Sequence, residues 1–133
     1  MADEALIREK LALIFGAPGG DVRHAEEIYH EDAVLEFPQS GERYDGRATF
    51  TQWRSEYPAE VTFRILRLTV RPDLAVSEGM ASYDGGPPVF GVGIHEFRGD
   101  KIARERIYVG EPWEAPAWRE KWRSDKPVDN PGL

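Results

Sequence analysis

The chain has no cysteine, only 2 methionines and only 3 histidines in 133 residues. Without cysteine there is neither a disulfide framework nor a thiolate metal site, and a reducing compartment is expected. Basic residues are also in deficit: 17 Lys and Arg stand against 24 Asp and Glu, for a net charge of −7. That balance excludes the concentrated basic footprint a nucleic-acid backbone requires. No apolar run approaches the roughly 18 residues of a membrane span. The opening stretch MADEALIREKLALIF is amphipathic and acidic, unlike a basic, uniformly apolar signal segment. These absences imply a cytoplasmic chain that binds neither nucleic acid nor membrane. What is present, 41% hydrophobic and 31% charged residues, suits a soluble globular protein with one core, a single domain over residues 1–133.

Hydrophobic spacing divides the chain into two halves. Ala5 to Phe15 places Leu6, Ile7, Leu11, Ile14 and Phe15 at helical intervals, and GAPGG stops that helix. Asp21 caps a second predicted helix reaching Tyr29, with Ala25, Ile28 and Tyr29 inward. DAVLEFP reads as a short strand ended by Pro38, and QSGERYDG as a loop. A third helix opening at Asp45 or Gly46 sets Phe50, Trp53 and Tyr57 on one face before Pro58. From Glu60 the period becomes that of strands: VTFRILRLTV, LAVSEGMASY, PVFGVGIHEF and KIARERIYV, separated by turns. The expectation is an α+β fold with an antiparallel sheet. The tail EPWEAPAWREKWRS is read as a short helix carrying Trp118 and Trp122, packed down because indoles left in water forfeit their burial energy.

KIARERIYVG raises a chemical question. Alternation puts Ala103, Glu105, Ile107 and Val109 on one face, apolar apart from a single carboxylate. If Arg98 pairs with Lys101 across Gly99 and Asp100, an unbroken register sets Ile94 opposite Glu105 and Glu96 opposite Ala103. Glu96 and Glu105 are then diagonal neighbours that titrate as a pair, while Gly91, Gly93 and His95 face outward. A bulged hairpin reverses the faces and turns His95 inward as the first general-base candidate. Glu105 has two readings. It is either a structural carboxylate, satisfied by an arginine such as Arg67 or set at the rim in water, or a ligand-contacting group in a cleft.

The stretches AEEIYHEDAVLEFPQSGERYDG and IHEFRGDKIARERIYVGEPWEAPAWREKW, with the order of helices and strands, resemble the SnoaL-like branch of the nuclear transport factor 2-like superfamily. The resemblance implies a cone: a curved sheet wrapped around three N-terminal helices and an apolar pocket, frequently in a homodimer through the outer sheet face. It covers nearly the whole chain but does not decide a reaction, since members include isomerases, cyclases, dehydratases, epoxide hydrolases and non-catalytic binders. The aspartate that ketosteroid isomerases place before the strand-ending proline is Phe37 here, and their first-helix tyrosine falls in Leu11-Ala12-Leu13. The aspartate that limonene-epoxide-hydrolase-like members place before a Tyr-Phe pair is Ile107, before Tyr108. Neither activity transfers.

The resulting expectation is a pocket for a small apolar molecule, shaped by Tyr29, Phe37, Trp53, Tyr57 and Ile107. Glu105 would act as base or acid in isomerisation or cyclisation, tuned by Glu96, with no cofactor and no metal ligands. Glu78 shares the parity of Leu74, Val76 and Met80 and is a third inward candidate, and Glu36 points outward. No Ser-His-Asp arrangement can be assembled from sequence order, and GGPP reads as a turn. The competing reading is a non-catalytic dimeric binding or scaffolding domain. A Glu105 bonded to an arginine would favour it, and an open cavity would favour chemistry.

Overall fold

The computed structural model describes residues 1–16 and 19–132. Helix α1 spans Glu4–Phe15; the Asp3 carboxylate caps it by accepting from the Leu6 N–H, and it buries Ile7, Leu11 and Ile14. Of the GAPGG stop, Gly16 caps the helix, while Ala17 and Pro18 lie outside the described residues. The second helix is two single turns, α2 (Gly20–Arg23) and α3 (Ala25–Ile28), broken at His24. Tyr29 belongs to no helix. It opens strand β1 (Tyr29–Phe37), longer than the sequence suggested because its first residues pair with the last strand.

The predicted QSGERYDG loop contains a further strand, β2 (Glu42–Asp45), paired antiparallel with β1. Gly46, at φ 92°, then turns the chain into α4 (Arg47–Ser55), whose Phe50 is fully buried. Four long strands follow as read: β3 (Val61–Arg71), β4 (Leu74–Tyr83), β5 (Val89–Arg98) and β6 (Lys101–Gly110).

These strands form one open, curved six-stranded sheet in the order β2-β1-β6-β5-β4-β3. All its pairings are antiparallel except β1 with β6. The helices lie in the concavity, and the core between them joins Ile7, Leu11 and Ile28 to Leu35, Val70 and Ile102. The fold is the expected α+β cone, a curved sheet around the N-terminal helices. Among the described residues, no helix is long and apolar enough to cross a membrane.

Two expectations fail here for physical reasons. The turn at Gly99 and Asp100 forms, with Arg98 opposite Lys101 and Phe97 opposite Ile102, but Glu96 then faces Arg104. Ala103 is the extra residue of a β-bulge, and one extra residue exchanges the faces beyond it. His95, not Ile94, therefore stands opposite Glu105. The tail also departs from expectation. Ala117–Trp122 is a 3₁₀ turn, but Trp113, Trp118 and Trp122 are 83%, 72% and 69% exposed. The chain returns to the β3 edge at Asp129, which pairs with Arg67, and at Gly132, whose N–H donates to the Leu66 carbonyl.

Candidate active site

The concave face of the sheet and the helices enclose a cavity of about 470 Å³. Phe37, Trp53, Tyr57 and Ile107 line it, as do Phe63 and Val89. Tyr29 does not reach its surface; that ring packs against Phe50 beneath the site, and its hydroxyl donates to Glu105 at 3.2 Å. Gly79, Gly91 and Gly93 contribute to the sheet-side wall, so backbone rather than side chain forms part of it.

Into this wall the bulge sets a row of polar side chains on three adjacent strands. Ser77 of β4, His95 of β5 and Glu105 of β6 are 4%, 2% and 3% exposed. The His95 Nδ1 lies 2.8 Å from Glu105 Oε2, and its Nε2 lies 2.8 Å from Ser77 Oγ. The cross-strand partner of Ser77 is Gly93. A Cβ there would fall 2.7 Å from His95 Nε2 and 2.8 Å from Ser77 Oγ, so the imidazole reaches the serine only across a glycine. The serine–histidine–carboxylate arrangement that sequence order did not yield is assembled by strand pairing.

Behind Glu105 stands Arg54 of α4. Its Nη2 donates to Glu105 Oε1 at 3.2 Å, and its Nη1 reaches the Tyr29 hydroxyl at 3.1 Å and Asp21 Oδ2 at 3.2 Å. The guanidinium also lies 5.4 Å from the centre of the Phe50 ring. Arg67, considered from the sequence as a partner for Glu105, instead pairs with Asp129 at the surface.

Burial is the largest single influence on Glu105 and acts to raise its pKa. His95 and Arg54, through charge and hydrogen bonds, outweigh it and bring the value down to about 2. The carboxylate is therefore ionised near neutrality. Burial, followed by the Glu105 charge, raises the Tyr29 hydroxyl well above its ordinary value, so it stays a neutral donor. Burial also raises Asp21 against the pull of Arg54. Arg54 remains charged: burial acts to lower its pKa, and Tyr29, Glu105 and Asp21 more than reverse this.

The expected pairing of Glu105 with Glu96 does not exist. Beyond the bulge Glu96 turns to the convex face, where its half-exposed carboxylate meets Arg104 at 3.4 Å. Glu78 lies on that convex face too, opposite Val92. Glu36 points outward as read, bound by Arg104 and Arg106. His24 pairs with Glu27, and His30 contacts the Arg98 carbonyl. Among the described residues, no cluster of three or more His, Asp or Glu side chains is placed to hold a metal ion.

Arg54 and Ser77 were missed from sequence for different reasons. Arg54 follows Phe50 by four residues, a charge on the apolar stripe of α4, which was a usable signal. Ser77 alternates with Ala75 and Gly79 and looks like one more small residue of a strand.

The cone and its polar row define an α+β pocket protein of the nuclear transport factor 2-like class. Residues 16–105 match the SnoaL-like domain model, and the chain belongs to the SnoaL-like family. It is similar to an NTF-2-like protein of unknown function from Burkholderia xenovorans LB400, with 36% identity over 93% of this chain and 98% of that one, at TM-score 0.84. A proposed ketosteroid isomerase from Kribbella flavida shares 24% identity over 96% and 91% of the two chains, at TM-score 0.78. An LEH-like epoxide hydrolase from M. tuberculosis shares 16% over 81% and 85%, at TM-score 0.69. The last two likenesses are of fold alone. No curated protein matches the chain in sequence.

Proposed function

We propose that the protein is an enzyme acting on a small, largely apolar molecule, with proton transfer at His95 as its chemical step. One observation carries this reading: an imidazole held between a buried, ionised carboxylate and a hydroxyl in the wall of an apolar cavity. A cavity of about 470 Å³ is of the size that encloses a small organic ligand. Ionised Glu105 only accepts, so Nδ1 carries a proton; with the ring neutral, Nε2 then holds the lone pair required of a general base. Glu105 is thus a positioning residue, and the base is His95 rather than Glu105 or Glu96. The lining residues Phe37, Trp53, Tyr57 and Ile107 supply apolar contact to the ligand. The reactions in keeping with this site are isomerisation or cyclisation through an enol or enolate.

The test is deuterium incorporation, followed by NMR, at the α-carbon of a panel of apolar cyclic ketones in D₂O. Exchange by the wild type should fall by about 100-fold or more in His95→Gln, as loss of a general base requires. Exchange by neither protein would refute the reading. A non-catalytic ligand-binding domain is the second reading, and the Arg54–Glu105 ion pair favours it, because such a pair also serves as a structural tie between α4 and β6. Ligand binding without exchange would select it.

A further inference from the structure

Both ring nitrogens of His95 are engaged, Nδ1 by Glu105 and Nε2 by Ser77, so in this arrangement the group of the row that meets a ligand is the Ser77 hydroxyl. From this geometry we infer that Ser77 is a nucleophile and that the cavity accepts small apolar esters or thioesters for acyl transfer to water. This goes beyond the proposed function and rests on its reading of His95 as a base.

A serine hydroxyl is a weak nucleophile unless a base takes its proton as it attacks, and the base must be held in the correct tautomer by a third group. Ser77 Oγ, His95 and Glu105 meet both requirements, with 2.8 Å at each link. All three residues border the same cavity, and the absent side chain at Gly93 leaves the serine–histidine bond uncovered on its strand side.

The chemistry balances with water as the second substrate. Ser77 Oγ forms a bond to the carbonyl carbon while its proton passes to His95 Nε2. The carbon–oxygen or carbon–sulfur bond to the leaving group then breaks, and the leaving group takes that proton. Water attacks the acyl-serine, gives a proton to Nε2, and the acid departs as Oγ recovers it.

The strand setting also narrows the substrate. Ser77 lies inside β4, paired with Leu68 on one side and Gly93 on the other, so its own N–H belongs to the sheet ladder rather than to an oxyanion hole. Loss of a single oxyanion donor costs about 10²–10³ in rate. The alcohol or thiol must therefore be a good leaving group, which selects aryl esters and thioesters over alkyl esters and amides.

The experiment uses the full-length protein and a small alkyl fluorophosphonate, in which the Oγ–P bond forms as fluoride leaves. Peptide mass spectrometry should find one adduct, on Ser77. Labelling and hydrolysis of 4-nitrophenyl butyrate should each fall by about 100-fold or more in Ser77→Ala and in His95→Gln. No adduct, an adduct elsewhere, or undiminished hydrolysis in Ser77→Ala overturns the inference. Ketone exchange by the wild type separates this failure from that of the proposed function, because exchange reads the base at His95 and needs no bond to Ser77 Oγ. Exchange without phosphonylation removes the nucleophile alone; absence of both removes both.

Discussion

Glu105 and His95 are direct cross-strand partners on β6 and β5, joined carboxylate to imidazole at 2.8 Å with both side chains almost fully buried. The contact exists because one extra residue, Ala103, sits in β6 between the hairpin turn and Glu105. The same carboxylate accepts from Arg54, so one anion orients the imidazole and ties α4 to the sheet. Site geometry and stability are therefore coupled through Glu105.

Replacing Glu105 by Gln should destabilise the protein by about 3–5 kcal/mol, because it leaves the Arg54 cation in a buried site with one anion fewer. Urea denaturation of the two proteins at pH 7 measures this. Equal midpoints and slopes would mean that solvent or Asp21 alone satisfies Arg54.

The same pair sets the acid limit of the fold. The Glu105 pKa falls from 4.5 to about 2 on folding, so its contribution is complete above about pH 4.5 and is lost as pH falls toward 2. A shift of this size corresponds to about 3 kcal/mol. Asp21 acts in the opposite sense, since a raised carboxyl pKa makes protonation relieve a cost. Denaturation midpoints should hold between pH 5 and 7 as far as Glu105 is concerned, drop steeply below about pH 4, and lose most of that drop in Glu105→Gln.

Gly93→Ala should separate His95 from Ser77 without unfolding the sheet. The added methyl carbon would lie under 3 Å from both side chains, so the ring must move, at a cost of about 1–3 kcal/mol. The ¹⁵N resonance of His95 Nε2 should shift as its hydrogen bond breaks. An unchanged resonance would show that the pair is absent in solution.

Much of this molecule was legible because periodicity and turn chemistry are local. Helix α1, the body of α4 and the four long strands could be read directly, as could an inward Glu105. Strand β2 and the first residues of β1 could not: Glu42 to Asp45 gain strand geometry from the neighbouring β1 across a polar turn that reads as loop, and Tyr29 from Ile102, distant in sequence. The bulge at Ala103 was decisive for the site. Parity arguments carry an entire strand across on one assumption, so a single inserted residue moved His95 in and Glu96 out.

A homodimer through the convex, outer face of the sheet is also expected, with side chains other than some of those first placed there. His95, Gly91 and Gly93 face inward. The convex side instead presents Val76, Val92 and Ile94, flanked by Glu78, Arg106 and Tyr108, which suits a self-complementary contact. Light scattering at micromolar concentration should return twice the mass of 15.1 kDa. Ile94→Asp should return the monomer, and a wild-type monomer would remove the claim.

The tail gives the last prediction, and it reverses the one made from composition. Trp113, Trp118 and Trp122 keep most of their surface in water, so they contribute little of the burial energy their size could supply. The attachments of the return are few: the Gly132 N–H to the Leu66 carbonyl, and an exposed Arg67–Asp129 pair of the kind that adds almost nothing. Deleting the chain from Glu111 onward should therefore change Tm by no more than about 2 °C, well short of the loss of even one buried indole in a domain this size. Tryptophan fluorescence supplies an internal control. The deletion removes the three exposed indoles and leaves Trp53 against the cavity, so the emission maximum should move to shorter wavelength as intensity falls. A Tm loss of many degrees, or a wild-type emission already blue-shifted, would show that these tryptophans are covered in solution.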